Sequence, residues 1–378
     1  MMDAARRCGR DGGLGGGELG RFAFLLHPVR VSDYYRKFPA LKRLPEPWVE
    51  GMFRPVPPWV GSHITGVVSP TGATAEGWFV FLPWTPRMLL ETPWPAVRDR
   101  IVRAGRLGQA KGAQIFGLGA FTKIAGDQGA SINERLDIPV TTGNSYTAAS
   151  AVEASLLAAD RMGLKPGEAE AAVVGATGAI GAACAQLLAC RVARITLLAR
   201  QRPRLDELAE RLRGRGADVR VETDLQAGIR GADIVIAVSS ATEEILQPDD
   251  FKPGAVVCDV ARPRNVSSVV YQRRDDVLVI DGGVIRVPGP VDFGLDFGFP
   301  PGHAEACIAE TMILALENRF EAFTIGRDIA VERLEEIAGL AAKHGFTVAG
   351  FRRFERAVPD DEVERIRERA AERRRASA

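Results

Sequence analysis

The chain alternates short apolar runs with stretches of helical periodicity. Ala171–Val174, Ile195–Ala199, the centre of GADIVIAVSSA (231–241), GAVVCDV (254–260) and VLVIDGG (277–283) are continuous apolar segments of strand length. Between them, residues 180–188 and others carry apolar positions at a spacing of three to four. Continuous apolar runs suit strands buried on both faces, and their alternation with helices predicts a doubly wound parallel sheet. Upstream, FAFLLHPV from Phe22 reads as a strand. ITGVVSPTGATAEGWFVFLPW (64–84) reads as a hairpin around a Pro-Thr-Gly turn, with Trp78, Phe79, Phe81 and Trp84 as an aromatic face most simply used for core packing. AVRDRIVRAGRLGQAKG (96–112) has the spacing of an amphipathic helix. AQIFGLGAFTKI (113–124) reads as a strand followed by a Gly-containing loop. IPVTTGNSYTAASAVEASLLAADRMG (138–163) reads as a strand, a turn and a long helix, with Asn144 and Ser145 as candidate N-caps.

After a Gly/Pro-rich segment, VPGPVDFGLDFGFPPGH (287–303), two more helices are predicted over 304–323 and 328–346, the latter ending at Gly345. The fold class is therefore α/β: a Rossmann-type parallel sheet, a second α/β substrate domain, and C-terminal helices. The expected division is a flexible glycine-rich lead-in (1–20), a substrate domain (21–163), a nucleotide domain (164–290), a helical segment (291–350) and a charged tail (351–378). That tail, with nine arginines and seven acidic residues, reads as a solvated or frayed helix.

Composition narrows the function classes. A net charge of +1 gives no reason to expect a nucleic-acid partner. Five scattered cysteines without a C-x-x-C pair, and four dispersed histidines, predict neither a disulfide framework nor a metal site. A reducing cytoplasm fits. No run approaches the roughly 18 apolar residues of a transmembrane helix. A peripheral membrane contact stays open.

The chemistry centres on VVGATGAIG (173–181). Gly175, Gly178 and Gly181 follow a strand and open a helix. In such a unit the first glycine permits the turn, the second lets backbone approach a pyrophosphate, and the third lets helix pack on strand. The loop Gly175, Ala176, Thr177, Gly178, Ala179, Ile180 and Gly181 is thus the expected dinucleotide cradle, with phosphates at the helix N-terminus. At the end of the next strand, where a carboxylate would bind the 2′-hydroxyl of NAD, stand Arg200 and then Arg202 and Arg204. Guanidinium there favours the 2′-phosphate of NADPH. The competing reading is that these arginines only solvate a loop. Ser239 and Ser240, ending the 231–241 strand, are expected on the nicotinamide side of the crevice. Cys258 lies within an apolar strand and reads as inert core.

Cys307 stands apart because it opens a predicted helix entered from a Gly/Pro-rich loop, where the helix dipole favours a thiolate. His303, four residues earlier, would share its helical face. From position alone, a small residue filling a helix interface is an equal reading.

TTGNSYTA (141–148), VVGATGAIG (173–181), ACIAE (306–310) and GRDIAVERLEEIAGLAAKHGF (326–346) tip that balance. Together they resemble the long-chain acyl-[acyl-carrier-protein] reductases, the likeness running from about Phe22 to Phe346. The resemblance implies NADPH-dependent reduction of a fatty acyl thioester, on acyl carrier protein or coenzyme A, to an aldehyde. It places the nucleophile on Cys307 and the cofactor loop on Gly175 to Gly181. It places acyl-site loops at Gly119, Phe121 and Thr122 and at Thr142, Gly143 and Asn144. It assigns no role to His303. Two alternatives remain open. One is a shikimate-dehydrogenase-like oxidoreductase with Lys123 as its acid/base; the other is a non-catalytic NADP-binding protein. A glutamyl-tRNA-reductase reading is disfavoured because Cys8 lies in the glycine-rich lead-in.

Overall fold

A computed structural model of the chain describes residues 19–124, 126–241, 243–354 and 356–377. Most of the expected flexible lead-in, with Cys8, lies outside the described residues, as does the side chain of Lys123 on the short helix Phe121–Ile124.

Two sheets organise the molecule. The first contains β1 (Gly20–Leu26), β2 (Trp59–Val68), β3 (Thr74–Phe81), β4 (Ile115–Leu118) and β5 (Val140–Thr141), in the order β2-β3-β1-β4-β5. β3, β1, β4 and β5 run parallel, and β2 returns antiparallel beside β3. The β2–β3 hairpin turns at Pro-Thr-Gly as its sequence predicts, with the Ala73 carbonyl accepting from Ser69 N–H at 2.9 Å. The amphipathic helix Trp94–Ala110 lays Val97, Ile101 and Ala104 on one face of this sheet.

The second sheet contains β6 (Glu170–Val174), β7 (Arg194–Leu198), β8 (Asp218–Glu222), β9 (Ile234–Ala237), β10 (Val256–Asp259) and β11 (Leu278–Asp281). Its order is β11-β10-β9-β6-β7-β8, all parallel. That is the Rossmann arrangement, whose order reverses between β6 and β9 and opens a crevice at their carboxyl ends. Every residue of β9, β10 and β11 is buried, which explains their unbroken apolar sequences.

The helix Asn144–Arg161 joins the two halves. It packs on the fingerprint helix Ala179–Leu188, on the cysteine helix Ala306–Leu316, on Val331–His344 and on β10. Alanines at 148, 151, 154 and 158 keep its surface low enough for contact on several sides. Its N-cap is Gly143 and has no side-chain cap bond, so Asn144 and Ser145 sit inside the first turn rather than capping it. Polar bonds made elsewhere, described below, take both side chains away from capping.

Beyond β11 the chain forms β12 (Val284–Arg286), β13 (His303–Glu305) and β14 (Thr347–Val348), in the order β13-β12-β14. The Gly/Pro-rich segment 287–302 crosses between the halves. Thr65 and Asp292 exchange backbone hydrogen bonds at 2.9 Å, while Phe293 and Phe297 pack against Phe79. The aromatic face read from the hairpin is thereby divided: Phe79 meets this crossing segment, Phe81 stacks on Trp59, Trp78 stacks on His63, and Trp84 lies under Arg100. The tail helix Asp360–Ser377 is docked, not merely solvated. Val363, Ile366 and Ala370 are buried, and Arg373 pairs with Asp276 at 3.0 Å. No helix among the described residues is long and apolar enough to cross a membrane.

Candidate active site

The crevice at the β6/β9 reversal is built from backbone. Gly175 adopts φ +87, and a Cβ there would lie 2.9 Å from Ser239 backbone atoms. A Cβ on Gly181 would lie 2.2 Å from the Gly175 carbonyl oxygen. Only glycines let this turn close on both the helix and the β9 loop. The fingerprint helix starts from Gly178 with no side-chain cap, so no side chain takes up its first-turn N–H groups there. Thr177, Ala179 and Ile180 are partly exposed and Gly178 is exposed; Ala176 is buried. A glycine cradle backed by an uncapped helix N-terminus fits a dinucleotide pyrophosphate.

The crevice rim is mixed. Arg200 is exposed at the end of β7 and makes no ion pair among the described residues, leaving it available to a 2′-phosphate. Arg202 is instead tied to Asp206 at 3.0 Å, which weakens its candidacy, and Arg204 is exposed. Ser239 is partly exposed; its N–H donates to Asn265 Oδ1 at 2.9 Å. Ser240 is exposed. Asn265, which the sequence did not single out, is fully buried and its Nδ2 has no protein partner. Asp259 holds this loop by accepting from the N–H groups of Ala261, Asn265 and Val266 at 2.9–3.0 Å. Burial pushes its carboxyl pKa up, and Arg262 opposes the shift.

Cys307 lies where the halves meet. It is the second residue of the cysteine helix, 5% exposed, and Ala306 N–H donates to the Gly283 carbonyl just past β11 at 2.7 Å. From the other half, the turn after β5 presses on it. A methyl on Gly143, at φ +70, would sit 2.3 Å from both Cα and Cβ of Cys307. The predicted Thr142–Asn144 loop and the predicted nucleophile are thus in direct contact. His303 is elsewhere: it belongs to β13, its Nδ1 lies 2.8 Å from the Pro301 carbonyl, and it shares no helical face with Cys307. The strand runs up to residue 305, so the helical spacing of 303 and 307 never applies. Burial pushes the thiols of Cys258, to about 12, and Cys184 upward, in keeping with an inert core role.

A buried carboxylate fixes this junction. Glu310, fully buried one turn after Cys307, accepts from Thr141 Oγ1 at 2.6 Å, Thr324 Oγ1 at 2.8 Å and Tyr146 N–H at 2.9 Å. Thr142 donates its N–H and hydroxyl to the Thr324 carbonyl, and Ser145 Oγ bonds Thr324 Oγ1 at 2.7 Å. Asn144 Nδ2 reaches Gln128 at 3.5 Å, while its buried Oδ1 has no partner. The A-C-x-A-E spacing contained the signal for Glu310. Its partners at 141, 146 and 324 were not readable.

Beside the cysteine opens a cavity of about 840 Å³ whose wall includes Phe24, Phe81, Phe297 and Trp59. Gly119 and Ala120 line it from the turn after β4, and Glu305 and Ile308 from either side of Cys307. Phe121 and Thr122 are buried beneath: Thr122 Oγ1 donates to the Gly119 carbonyl at 2.6 Å, and Phe121 N–H donates to His27 Nε2 at 3.1 Å. His27 was missed by the sequence reading. Its Nδ1 lies 3.0 Å from the Pro28 carbonyl, and burial lowers its pKa to about 4, so it stays neutral and props the loop.

Residues 157–281 match the family model of shikimate / quinate 5-dehydrogenase, an oxidoreductase-type NAD(P)-binding fold. Among solved structures, the nucleotide-binding domain of glutamyl-tRNA reductase from Thermoplasma volcanium is 18% identical with a TM-score of 0.25, over 35% of this chain and 84% of that one. Quinone oxidoreductase from Thermus thermophilus is 19% identical with a TM-score of 0.27, over 35% and 43%. Among curated proteins, the aminotransferase PigE of Serratia sp. is 31% identical over 87% of this chain, which spans only 39% of PigE's length. The long-chain acyl-[acyl-carrier-protein] reductase of Synechococcus elongatus is also 31% identical, over 77% of this chain and 87% of the reductase. At that identity and over that share of its length, the chain belongs to the long-chain acyl-[acyl-carrier-protein] reductase family.

Proposed function

We propose that the protein reduces a long-chain fatty acyl thioester, presented on acyl carrier protein or coenzyme A, to the aldehyde with NADPH, through an acyl-Cys307 intermediate. The observation that carries this reading is the position of Cys307: on a helix N-terminus between the two sheets, with its neighbours Glu305 and Ile308 in the wall of a cavity that has one aromatic side. The aromatic wall of this cavity suits a fatty chain, while Arg30, Arg36, Lys37, Arg264 and Arg352 also line it.

In this reading the Gly175–Gly181 loop and the first turn of the fingerprint helix hold the pyrophosphate, and Arg200 holds the 2′-phosphate. Ser239 and Ser240 border the nicotinamide side. When bound there, NADPH supplies the hydride. The Cys307 sulfur attacks the thioester carbonyl, the carrier thiol departs, and the acyl group stays on the sulfur. After hydride delivery the resulting thiohemiacetal on Cys307 collapses, releasing aldehyde and restoring the thiol. Gly143, in contact with the Cys307 backbone, and the Glu310 network hold the sulfur in place through this cycle. Gly119 and the buried residues Phe121 and Thr122 shape the acyl end of the cavity.

The test is intact-mass measurement after incubation with a long-chain acyl thioester in the absence of NADPH, comparing wild type with Cys307→Ser. The expected result is an acyl adduct on wild type alone, discharged as aldehyde when NADPH is added. An adduct that survives the substitution moves the nucleophile elsewhere. Absence of any adduct favours the dehydrogenase-like reading, which the match over 157–281 also accommodates.

A further inference from the structure

We infer that Glu305 is the proton shuttle of the acylation step: it takes the proton from Cys307 and returns it to the departing carrier thiol. The inference rests on the acyl-Cys307 reading above and adds the group that step requires. Glu305 occupies the N-cap of the cysteine helix, a position that favours Ser, Thr, Asp or Asn because a short oxygen-bearing side chain bonds back to the first turn. Glu305 makes no such bond. Its carboxylate bridges two other groups instead: Oε2 lies 3.8 Å from Cys307 Sγ, and Oε1 lies 3.7 Å from Arg262 Nε. Arg262 is itself anchored, with Nη1 donating to the carbonyls of Ala261 at 2.9 Å and Asp259 at 3.3 Å.

Glu305 lines the cavity and Cys307 itself does not, so a thioester entering there meets Glu305 first, with the sulfur 3.8 Å from its carboxylate. At 29% exposure the carboxylate is neither sealed in core nor freely solvated. That suits a group exchanging a proton with a substrate atom.

Glu305 accepts the thiol proton as the sulfur pair forms a bond to the acyl carbon. The carbonyl π pair moves to oxygen and returns as the bond to the carrier sulfur breaks. That sulfur leaves with its electron pair and collects the proton from the Glu305 carboxyl, which is again a carboxylate. No oxidant, reductant or co-reactant enters. Arg262 is a positioning residue here: it holds one oxygen so that the other faces the sulfur.

The rate of acyl-enzyme formation tests this, followed by acid quench and intact mass without NADPH. Two donors are compared, palmitoyl-coenzyme A and the palmitoyl ester of thiophenol. The aryl thiolate is a stable leaving group that needs no proton, whereas the alkyl thiolate of coenzyme A does. Glu305→Gln is expected to slow acylation by coenzyme A thioester about 100-fold. With the aryl thioester the loss should be markedly smaller, and NADPH affinity should be unchanged. A rate equal to or above wild type, or the same fractional loss with both donors, overturns the inference. Should the Gln variant fail to fold, Glu305→Asp keeps a carboxylate but withdraws it by one methylene, and the same donor-dependent loss, smaller in size, is required of it. If wild type itself forms no adduct, the acyl-cysteine reading fails and not this assignment alone.

Discussion

The fingerprint turn and the cysteine junction do comparable jobs by opposite means. The turn is local: residues 175–181, closed by glycines against one neighbouring loop, present backbone N–H groups. The junction is assembled from side chains at 141, 142, 145, 305, 310 and 324, and from two backbones in contact at Gly143 and Cys307. A local backbone site tolerates changes elsewhere but not in its own few atoms. A dispersed side-chain site is coupled to the stability of both sheets. Damage to the first should show as lost cofactor affinity, and damage to the second as lost stability and acylation together.

The strongest test is Glu310→Ala. It strands the hydroxyl of Thr141 and the N–H of Tyr146 in a dry interior and leaves Thr324 Oγ1 only its bond to Ser145. At roughly 1–3 kcal/mol for each buried group left unpaired, the expected loss is about 4 kcal/mol, read by urea unfolding. Gly143→Ala comes next. It combines a left-handed φ with a methyl driven into the Cys307 backbone, so about 3 kcal/mol of stability should go, with acyl-adduct formation reduced in the same variant. Adduct formation at the wild-type rate in a fully stable Gly143→Ala protein would break the comparison.

His27 supplies a pH-dependent arm. Its folded pKa is depressed to about 4 against an ordinary value of 6.5, so the unfolded chain binds the proton first as pH falls. The stability this neutral imidazole contributes is complete above pH 6.5 and is lost between there and about pH 4, amounting to about 3 kcal/mol. In His27→Gln that part of the slope should vanish from a series of denaturant melts.

On the fingerprint side, Gly181→Ala puts a methyl against the Gly175 carbonyl. The expected cost of about 2 kcal/mol should appear as a roughly 30-fold weaker NADPH Kd by fluorescence titration, with acylation in the absence of cofactor intact. The smallest effect is Arg200→Ala. Loss of one charge-assisted contact, about 1.5 kcal/mol, should weaken NADPH about tenfold and leave NADH unchanged. Equal loss for both cofactors would assign Arg200 to the solvated rim.

The contrast also governs what could be read in advance. Five of the six parallel strands, the hairpin, the fingerprint helix and the helix ending at Gly345 were legible because each follows from a period or a turn within about ten residues; β8, an edge strand with no buried residue, carries no apolar run and was not. Cys307 was legible as a position, at the mouth of a helix, but its surroundings were not. His303 was misplaced because helical spacing was extended backwards across residues that form β13. His27 and Asn265 gave no local signal at all, since what matters about them is burial and the loops that close over them. The tail reads as solvated because its charge conceals the three-residue apolar stripe that docks it.

From its amino acids alone this protein is committed to a Rossmann-type nucleotide fold and to a cysteine at a helix entrance, because short-range sterics and apolar periodicity act within single elements. Only the folded chain decided that Gly143 would press on Cys307, that Glu310 would tie residues 141, 146 and 324 together, and that Glu305 would turn from its cap toward sulfur. The same junction joins segments as far as 182 residues apart, from Thr142 to Thr324. Their partners are selected by how two sheets pack against shared helices, which no local pattern encodes.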